Sequence, residues 1–224
     1  MLFLSLINIL LIAYVLWRWK FKRSDDALSG GEPFPAVSVM ICLILLGLLL
    51  WFQVRHSRLE SRLTLVATEL AGKPAQVNCE TFLESWMPEN IQFEGYVSDG
   101  SSRLFLRHGI CRRLTEVIDS PDPTSRFHST AVVILAHEAM HVRGLTNEAQ
   151  TECAAIQRAV RTAMLLGVGD TVAQELARTY WLVQYQQIRQ ASAHSDYYSV
   201  ECRPNGALDE DLPEPPWKFG LPQY

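Results

Sequence analysis

The sequence lacks an excess of basic residues. Its 224 residues include 20 Lys and Arg against 24 Asp and Glu, for a net charge of −4. A protein that binds nucleic acid through its phosphates needs surplus positive charge, so no nucleic-acid partner is expected. Low-complexity tracts and repeats of fixed period are also missing, which excludes disordered tails and solenoid folds. What remains is one stretch, residues 56–224, long enough for a single domain with its own core.

Charged side chains are absent from two long stretches near the N-terminus. Residues 1–17 carry no charge, and as a helix they would span roughly 25 Å, close to the ~30 Å of a hydrocarbon core. Residues 33–54 are also uncharged and would span roughly 33 Å. The sequence therefore predicts two transmembrane helices joined by a polar loop at 18–32, with the lipid bilayer as a partner. A cleaved signal peptide or an interfacial segment is the alternative for the first stretch, although no basic residue precedes Arg18.

The basic residues around the predicted spans indicate an orientation. The loop between the two spans carries four Lys and Arg residues, and the segment just after the second span carries three. The more basic side of a membrane protein tends to face the cytoplasm. We therefore predict an integral membrane protein whose main domain is extracytoplasmic and acidic, with a net charge of −6 over residues 56–224.

The cysteines show none of the CxxC spacings of a cysteine zinc site. Cys42 falls inside the second predicted span, which leaves Cys79, Cys111, Cys153 and Cys202 in the main domain. An even number of cysteines in an oxidising compartment predicts two disulfides, for which three pairings exist. The alternative is four buried thiols in a cytosolic domain.

The main domain, predicted at residues 56–202, is expected to be α+β and mainly α. Residues 91–98 and 102–107 alternate between apolar and polar around an Asp-Gly-Ser turn, which predicts a small β-hairpin. Its second strand is expected at a sheet edge, where it would receive an extended peptide. A proline-rich tail is predicted at 203–224. Hydrophobic periodicity predicts helices over residues 56–73, 110–118, 129–142, 146–166 and 171–190.

Two histidines stand out within the apolar stretch 129–142. The segment from His137 to His141 reads HExxH, and its i, i+4 spacing places both imidazoles on one helix face, one turn apart. This pair offers two nitrogen ligands to one Zn²⁺, and Glu138 beside them can take a proton from a metal-bound water. Burying two unpaired imidazoles in an apolar helix is costly, and a metal removes that cost. A pair of satisfied core histidines is the alternative.

The motif and the acidic residues after it resemble the zincin metallopeptidases, particularly the gluzincins, over about residues 129–165. The resemblance implies a compact zincin-like domain in which Glu148 is the third zinc ligand. It also implies that Glu152 supports the first histidine, with Glu152 as the alternative third ligand. The gap from His141 to Glu148 is shorter than in most gluzincins. Asn147 stands where a metzincin would have a histidine, and asparagine is a poor zinc ligand.

This resemblance implies a membrane-anchored zinc metallopeptidase that hydrolyses peptide bonds in a peptide or protein substrate, with Glu138 as its catalytic residue. A gluzincin-like site also needs a donor for the oxyanion, for which Tyr180, Tyr185, His194 and Tyr197 are candidates. Two other functions stay open. One is a non-catalytic, membrane-anchored binding or scaffold protein with a closed structural zinc site. The other is a regulatory protease that faces the cytosol and has reduced thiols.

Overall fold

The structure is a computed structural model that describes residues 13–14, 34–81, 94–98, 101–191 and 196–219. The first predicted span, apart from residues 13–14, and the polar loop after it lie outside the described residues. The chain divides into two compact units, Met1–Arg58 and Leu59–Tyr224. The candidate functional residues all fall in the second unit.

Helix α1 runs over Phe34–Ala71 as one uninterrupted helix. Its part from Met40 onward is long and apolar enough to cross a membrane, and the most apolar window of that part has no buried residue. An exposed apolar surface of this length is typical of a helix that faces lipid. Among the described residues this is the one helix of the kind, so they contain one candidate span rather than the two predicted.

The C-terminal part of α1 belongs to the second unit and to its core. Leu63, Val66 and Leu70 are buried there at helical spacing. The helix ends at Ala71 because Gly72 takes a left-handed backbone conformation with φ of 69°. The predicted helix end at residue 73 is therefore two residues late.

Three short strands form one sheet. Strand β1 covers Gln76–Cys79, β2 covers Gly95–Val97 and β3 covers Arg103–Leu106. Their order is β1–β3–β2, with β1 parallel and β2 antiparallel to β3. The predicted β-hairpin is confirmed as β2 and β3. The expectation that its second strand lies at an edge is wrong, because β1 pairs with the other side of β3 and leaves β2 as an edge.

The rest of the domain is helical. Its elements are α2 His108–Asp119, α3 Arg126–Arg143, α4 Glu148–Gln157, α5 Ala159–Leu165, α6 Asp170–Thr179, a π-helical segment Tyr180–Tyr185, α7 Gln186–Ala191 and a 3₁₀ turn Pro216–Phe219. Helix α3 lies at the centre and contacts α2, α4, α5, α6 and the strands β2 and β3, which explains why twelve of its residues are buried. The predicted helix 146–166 is two helices, because the backbone breaks at Arg158 with φ of −102° and ψ of 2°.

The four cysteines of the main domain form two disulfides, as predicted. Cys79 in β1 pairs with Cys111 in α2, and Cys153 in α4 pairs with Cys202 ahead of the tail. Cys42 is a free thiol in α1. Disulfides persist in oxidising compartments, which agrees with a location outside the cytoplasm.

The tail after Cys202 packs on the end of α4. The Gln157 side chain donates to the Leu208 carbonyl at 2.9 Å and accepts from the Glu210 backbone N–H at 2.8 Å. Further along, the Trp217 ring meets the Trp181 ring edge to face, with centroids 5.1 Å apart. The tail is thus held on the domain although it has little regular structure.

Candidate metal centre

A tight turn between α3 and α4 brings the HExxH residues and the acidic segment together. Helix α3 ends at Gly144, whose φ of 117° suits glycine and lets the chain reverse. Helix α4 begins after Asn147, whose side chain accepts a hydrogen bond from the Gln150 backbone N–H at 3.0 Å. This bond caps the N-terminus of α4. Glu148 is therefore the first residue of α4 and lies beside the last two turns of α3.

The side chains of His137, His141 and Glu148 converge on one point. The two Nε2 atoms are 2.9 Å apart, and the Glu148 Oε2 atom is 3.1 Å from His137 Nε2 and 3.4 Å from His141 Nε2. In a tetrahedral site with metal–ligand bonds of 2.0–2.1 Å, the ligand atoms are about 3.3 Å apart. The spacing of these three atoms is therefore that of a group able to bind one metal ion.

The opposite nitrogens of the two rings fix the tautomers. His137 Nδ1 donates to Glu152 Oε2 at 2.8 Å, and His141 Nδ1 donates to the Leu145 carbonyl at 2.8 Å. Because carboxylate and carbonyl oxygens only accept, the hydrogen of each neutral imidazole is on Nδ1 and its Nε2 carries a lone pair. Two lone pairs and a carboxylate oxygen then face one another with no hydrogen to share. A cation satisfies all three, so the residues fit a metal ion.

The electrostatic surroundings of His137 favour positive charge at the same point. Burial lowers the pKa of this imidazole, but the hydrogen bond with Glu152 and the nearby carboxylates outweigh burial and raise the pKa above its ordinary value. The carboxylates that contribute are those of Glu152, Glu138 and Glu148. Charge that favours an imidazolium here favours a metal cation for the same reason.

Glu152 lies behind the cluster rather than in it. Its carboxylate is buried, with one oxygen on His137 Nδ1 and the other accepting a hydrogen bond from the Tyr180 hydroxyl. Burial and the charge of Glu152 raise the pKa of Tyr180 well above its usual value, which keeps this hydroxyl a donor. The geometry thus places Glu148 among the ligand atoms and gives Glu152 the position expected for the acid that supports the first histidine.

Glu138 is a buried acid without a hydrogen-bond partner for one of its oxygens. The residue is 5% exposed, and Oε2 has no partner among the described residues. Burial is the main cause that raises the pKa of Glu138 to about 7; His137 opposes the shift, and the Glu148 and Glu152 carboxylates add to it. A carboxyl with a pKa near neutrality beside a metal site is suited to proton transfer.

Strand β2 makes room for this carboxyl. A Cβ atom on Gly95 would lie 2.9 Å from Glu138 Oε1, so only glycine fits without displacing the acid. Sequence reasoning missed Gly95 and the Leu145 carbonyl. The signal available for Gly95 was its place inside a predicted strand, because a glycine there often marks a close approach of another part of the chain to the strand backbone. A backbone acceptor leaves no signal in the sequence.

The metal-ligand cluster opens into a cavity of about 800 Å³. The residues of β2 form one of its walls, and the far side of β2 pairs with no other strand among the described residues. Of the predicted oxyanion donors, Tyr197 lines this cavity, and its ring lies 5.6 Å from the His137 ring. The Tyr180 and Tyr185 hydroxyls bond elsewhere in the interior, and His194 lies outside the described residues.

No known protein family, curated protein or solved structure matches this chain. Its class therefore rests on its own residues. Its described residues form a mainly helical protein with a small three-stranded sheet, two disulfides and one helix long and apolar enough to span a membrane. The His137, His141 and Glu148 cluster on α3 and α4 could bind a metal ion.

Proposed function

We propose that the protein is a membrane-anchored zinc metallopeptidase of the zincin type. The observation that carries the proposal is the pairing of a metal-binding cluster with a buried acid on the same cavity. His137, His141 and Glu148 converge on one point, and Glu138 lies next to them with one oxygen unbonded among the described residues. A purely structural metal site would have no use for Glu138.

Zn²⁺ is the metal that best suits this set of donors. Two imidazoles and one carboxylate are a common set for catalytic zinc, which keeps its fourth position open. Here the three ligand residues line an open cavity, so a substrate has access to that position. His137, His141 and Glu148 would hold the zinc ion, which would supply an acidified water molecule and polarise the carbonyl of the bond to be cut.

The chain's own residues supply the rest of the chemistry. Glu138 accepts the proton of the attacking water and returns it to the leaving amine, and a pKa of about 7 suits both transfers. Glu152 and the Leu145 carbonyl hold the imidazoles in the orientation that the metal needs. Tyr197 is the described candidate for an oxyanion donor. The edge of β2 that pairs with no other described strand is suited to receive an extended peptide, in place of β3.

The proposed location is a membrane, with the catalytic domain on the extracytoplasmic side. The exposed apolar part of α1 supports the membrane anchor. The two disulfides support an oxidising compartment and disfavour a cytosolic regulatory protease. A closed structural zinc site would need both Glu148 and Glu152 as ligands, and Glu152 is instead bonded to the opposite nitrogen of His137.

The test of this proposal combines metal content with hydrolysis of a peptide library by the full chain in detergent micelles. We expect stoichiometric zinc and peptide hydrolysis that a chelator abolishes. Glu138→Gln should retain zinc and lose about a thousandfold in hydrolysis, since general acid–base catalysis is removed. Glu175→Gln, a change of a half-exposed acid on α6 that does not line the cavity, is the matched control and should retain both. Hydrolysis that persists in Glu138→Gln would refute the mechanism.

A further inference from the structure

The cavity that holds the metal ligands also carries one aliphatic cation. Lys73 is the one Lys or Arg side chain that lines it within the described part of the chain. It forms no ion pair with a described carboxylate. The cavity is also lined by two acids, Glu138 and Glu148, which lie beside the two histidines. The cavity therefore has an acidic region and a separate basic one.

The length of strand β2 gives the distance between the metal-ligand cluster and the opposite end of the cavity. It starts at Gly95, which touches Glu138, and the next residues lead to Ser98. Three residues of strand cover about 10 Å. At Ser98 the hairpin closes, since its backbone N–H donates to the Arg103 carbonyl at 3.0 Å and the Ser101 hydroxyl donates to the Ser98 carbonyl at 2.8 Å. Ser98 therefore marks the turn end of the cavity.

Lys73 belongs to this turn end. The Gln76 backbone N–H donates to the Ser102 carbonyl at 2.8 Å, so β1 begins beside the turn. Because β1 runs parallel to β3, the residues before Gln76 lie on the turn side of the sheet. Lys73, Ser98 and Ser102 line the cavity together, and the two serine hydroxyls are bonded to no other described residue. An ammonium and two available hydroxyls form a donor-rich surface suited to an oxyanion.

We propose that this turn end, defined by Lys73, Ser98 and Ser102, binds a carboxylate of the substrate about three residues from the bond that is cut. The proposal rests on the peptidase function proposed above. An extended peptide lying along β2 rises by about 3.3 Å per residue, as the strand does, so about 10 Å corresponds to three residues. The carboxylate is that of an Asp or Glu side chain or that of the peptide's C-terminus, which present the same chemistry.

The test compares matched peptides with the zinc-loaded full chain in detergent micelles. Each pair differs by Glu or Gln at the third residue on one side of the cut bond, or by a free or amidated C-terminus. We expect the anionic member of one pair to be cleaved with about fivefold higher kcat/KM, through a lower KM. Lys73→Gln should remove the preference and Lys73→Glu should reverse it. Arg112→Gln, a change of an exposed cation on α2, should leave the preference intact.

Two results would overturn the carboxylate subsite. One is equal cleavage of every pair by the unmodified chain, and the other is a preference that survives in Lys73→Gln. If no peptide is cleaved at all, the peptidase proposal fails on its own. The subsite is then decided by fluorescence anisotropy with labelled forms of the same peptides on Glu138→Gln. Binding about fivefold tighter for the anionic peptide, lost on adding Lys73→Gln, supports the subsite, and equal Kd values refute it.

Discussion

Two polar clusters at the two ends of α4 differ in whether the protein satisfies them. The Arg158 guanidinium is buried, and its nitrogens donate to both Glu210 carboxylate oxygens at 2.7 Å. Every charge there has its partner within the chain. The Nε2 atoms of His137 and His141 instead face each other and a carboxylate oxygen of Glu148, with acceptors on all three sides. The first arrangement stabilises a fold, whereas the second could bind a metal ion.

The difference shows how a buried polar cluster is assigned to structure or to function. Buried polar groups in folded proteins are almost always hydrogen-bonded, so a group whose partners all belong to the chain needs no ligand. A cluster in which the hydrogen bonds of the outer nitrogens leave electron pairs pointing at one another is suited to bind a cation. Removing a member of each cluster tests this distinction.

The largest effect is expected from the metal ligands. Glu148→Ala should lower zinc affinity by more than a hundredfold, because it removes a ligand atom from the cluster. Glu152→Ala should lower it by about ten- to a hundredfold, the usual cost of losing a group that orients a ligand histidine. Competition with a chromogenic chelator measures both affinities, and Glu175→Ala is the control.

The order of the two effects is the informative result. A larger loss of zinc in Glu152→Ala than in Glu148→Ala would make Glu152 the ligand and reverse the assignment. If Glu148→Ala, Glu152→Ala and the control Glu175→Ala all bind zinc with the same affinity, the cluster does not bind zinc.

A smaller effect is expected where the sheet meets the site. Gly95→Ala should reduce hydrolysis by about tenfold while zinc content is unchanged, because the added methyl group displaces the Glu138 carboxyl by a few tenths of an ångström. Gly109→Ala is the matched control, since a Cβ there meets no described atom within 4 Å. Its position in α2 predicts unchanged hydrolysis and unchanged or slightly higher stability. Full activity of Gly95→Ala would show that Glu138 does not need its present position.

The sequence was most informative where chemistry depends on local spacing. The i, i+4 histidines, the cap at Asn147 and the left-handed Gly144 are all properties of a few adjacent residues. Contacts between distant segments were harder to predict. The central position of β3 depends on β1, whose pairing partner is about 27 residues away in sequence, and no local pattern encodes that pairing.

The same limit applies to the interior of the site. Gly95 in the strand β2 contacts Glu138, which lies some forty residues later in a helix. Arg158, where the helix breaks, bonds Glu210 in the tail about fifty residues further on. The sequence predicted one helix across Arg158, because arginine is a good helix former. In the structure, the Arg158 side chain bonds both the Ala154 carbonyl and Glu210, so the end of α4 coincides with a tertiary contact that the local sequence does not reveal.

The smallest effect is expected from the satisfied cluster. The hydrogen bond with Arg158 is the main cause that lowers the pKa of Glu210 below its model-compound value of 4.5. A lowered pKa in the folded state means that the pair stabilises the fold above about pH 4.5 and that this contribution is lost as the pH falls through the folded pKa, below 4.5. Glu210→Gln should therefore lower Tm by a few degrees near pH 6 and have less effect near pH 3.

The same variant separates the two clusters. Glu210→Gln should leave zinc content and hydrolysis unchanged, because the Arg158 pair contacts none of the residues that converge on the metal point. Thermal denaturation followed by circular dichroism at both pH values, with zinc content measured on the same samples, gives the answer. A loss of zinc with only a small loss of Tm would mean that the tail positions the N-terminal part of α4, and the division between a structural and a functional cluster would then be wrong.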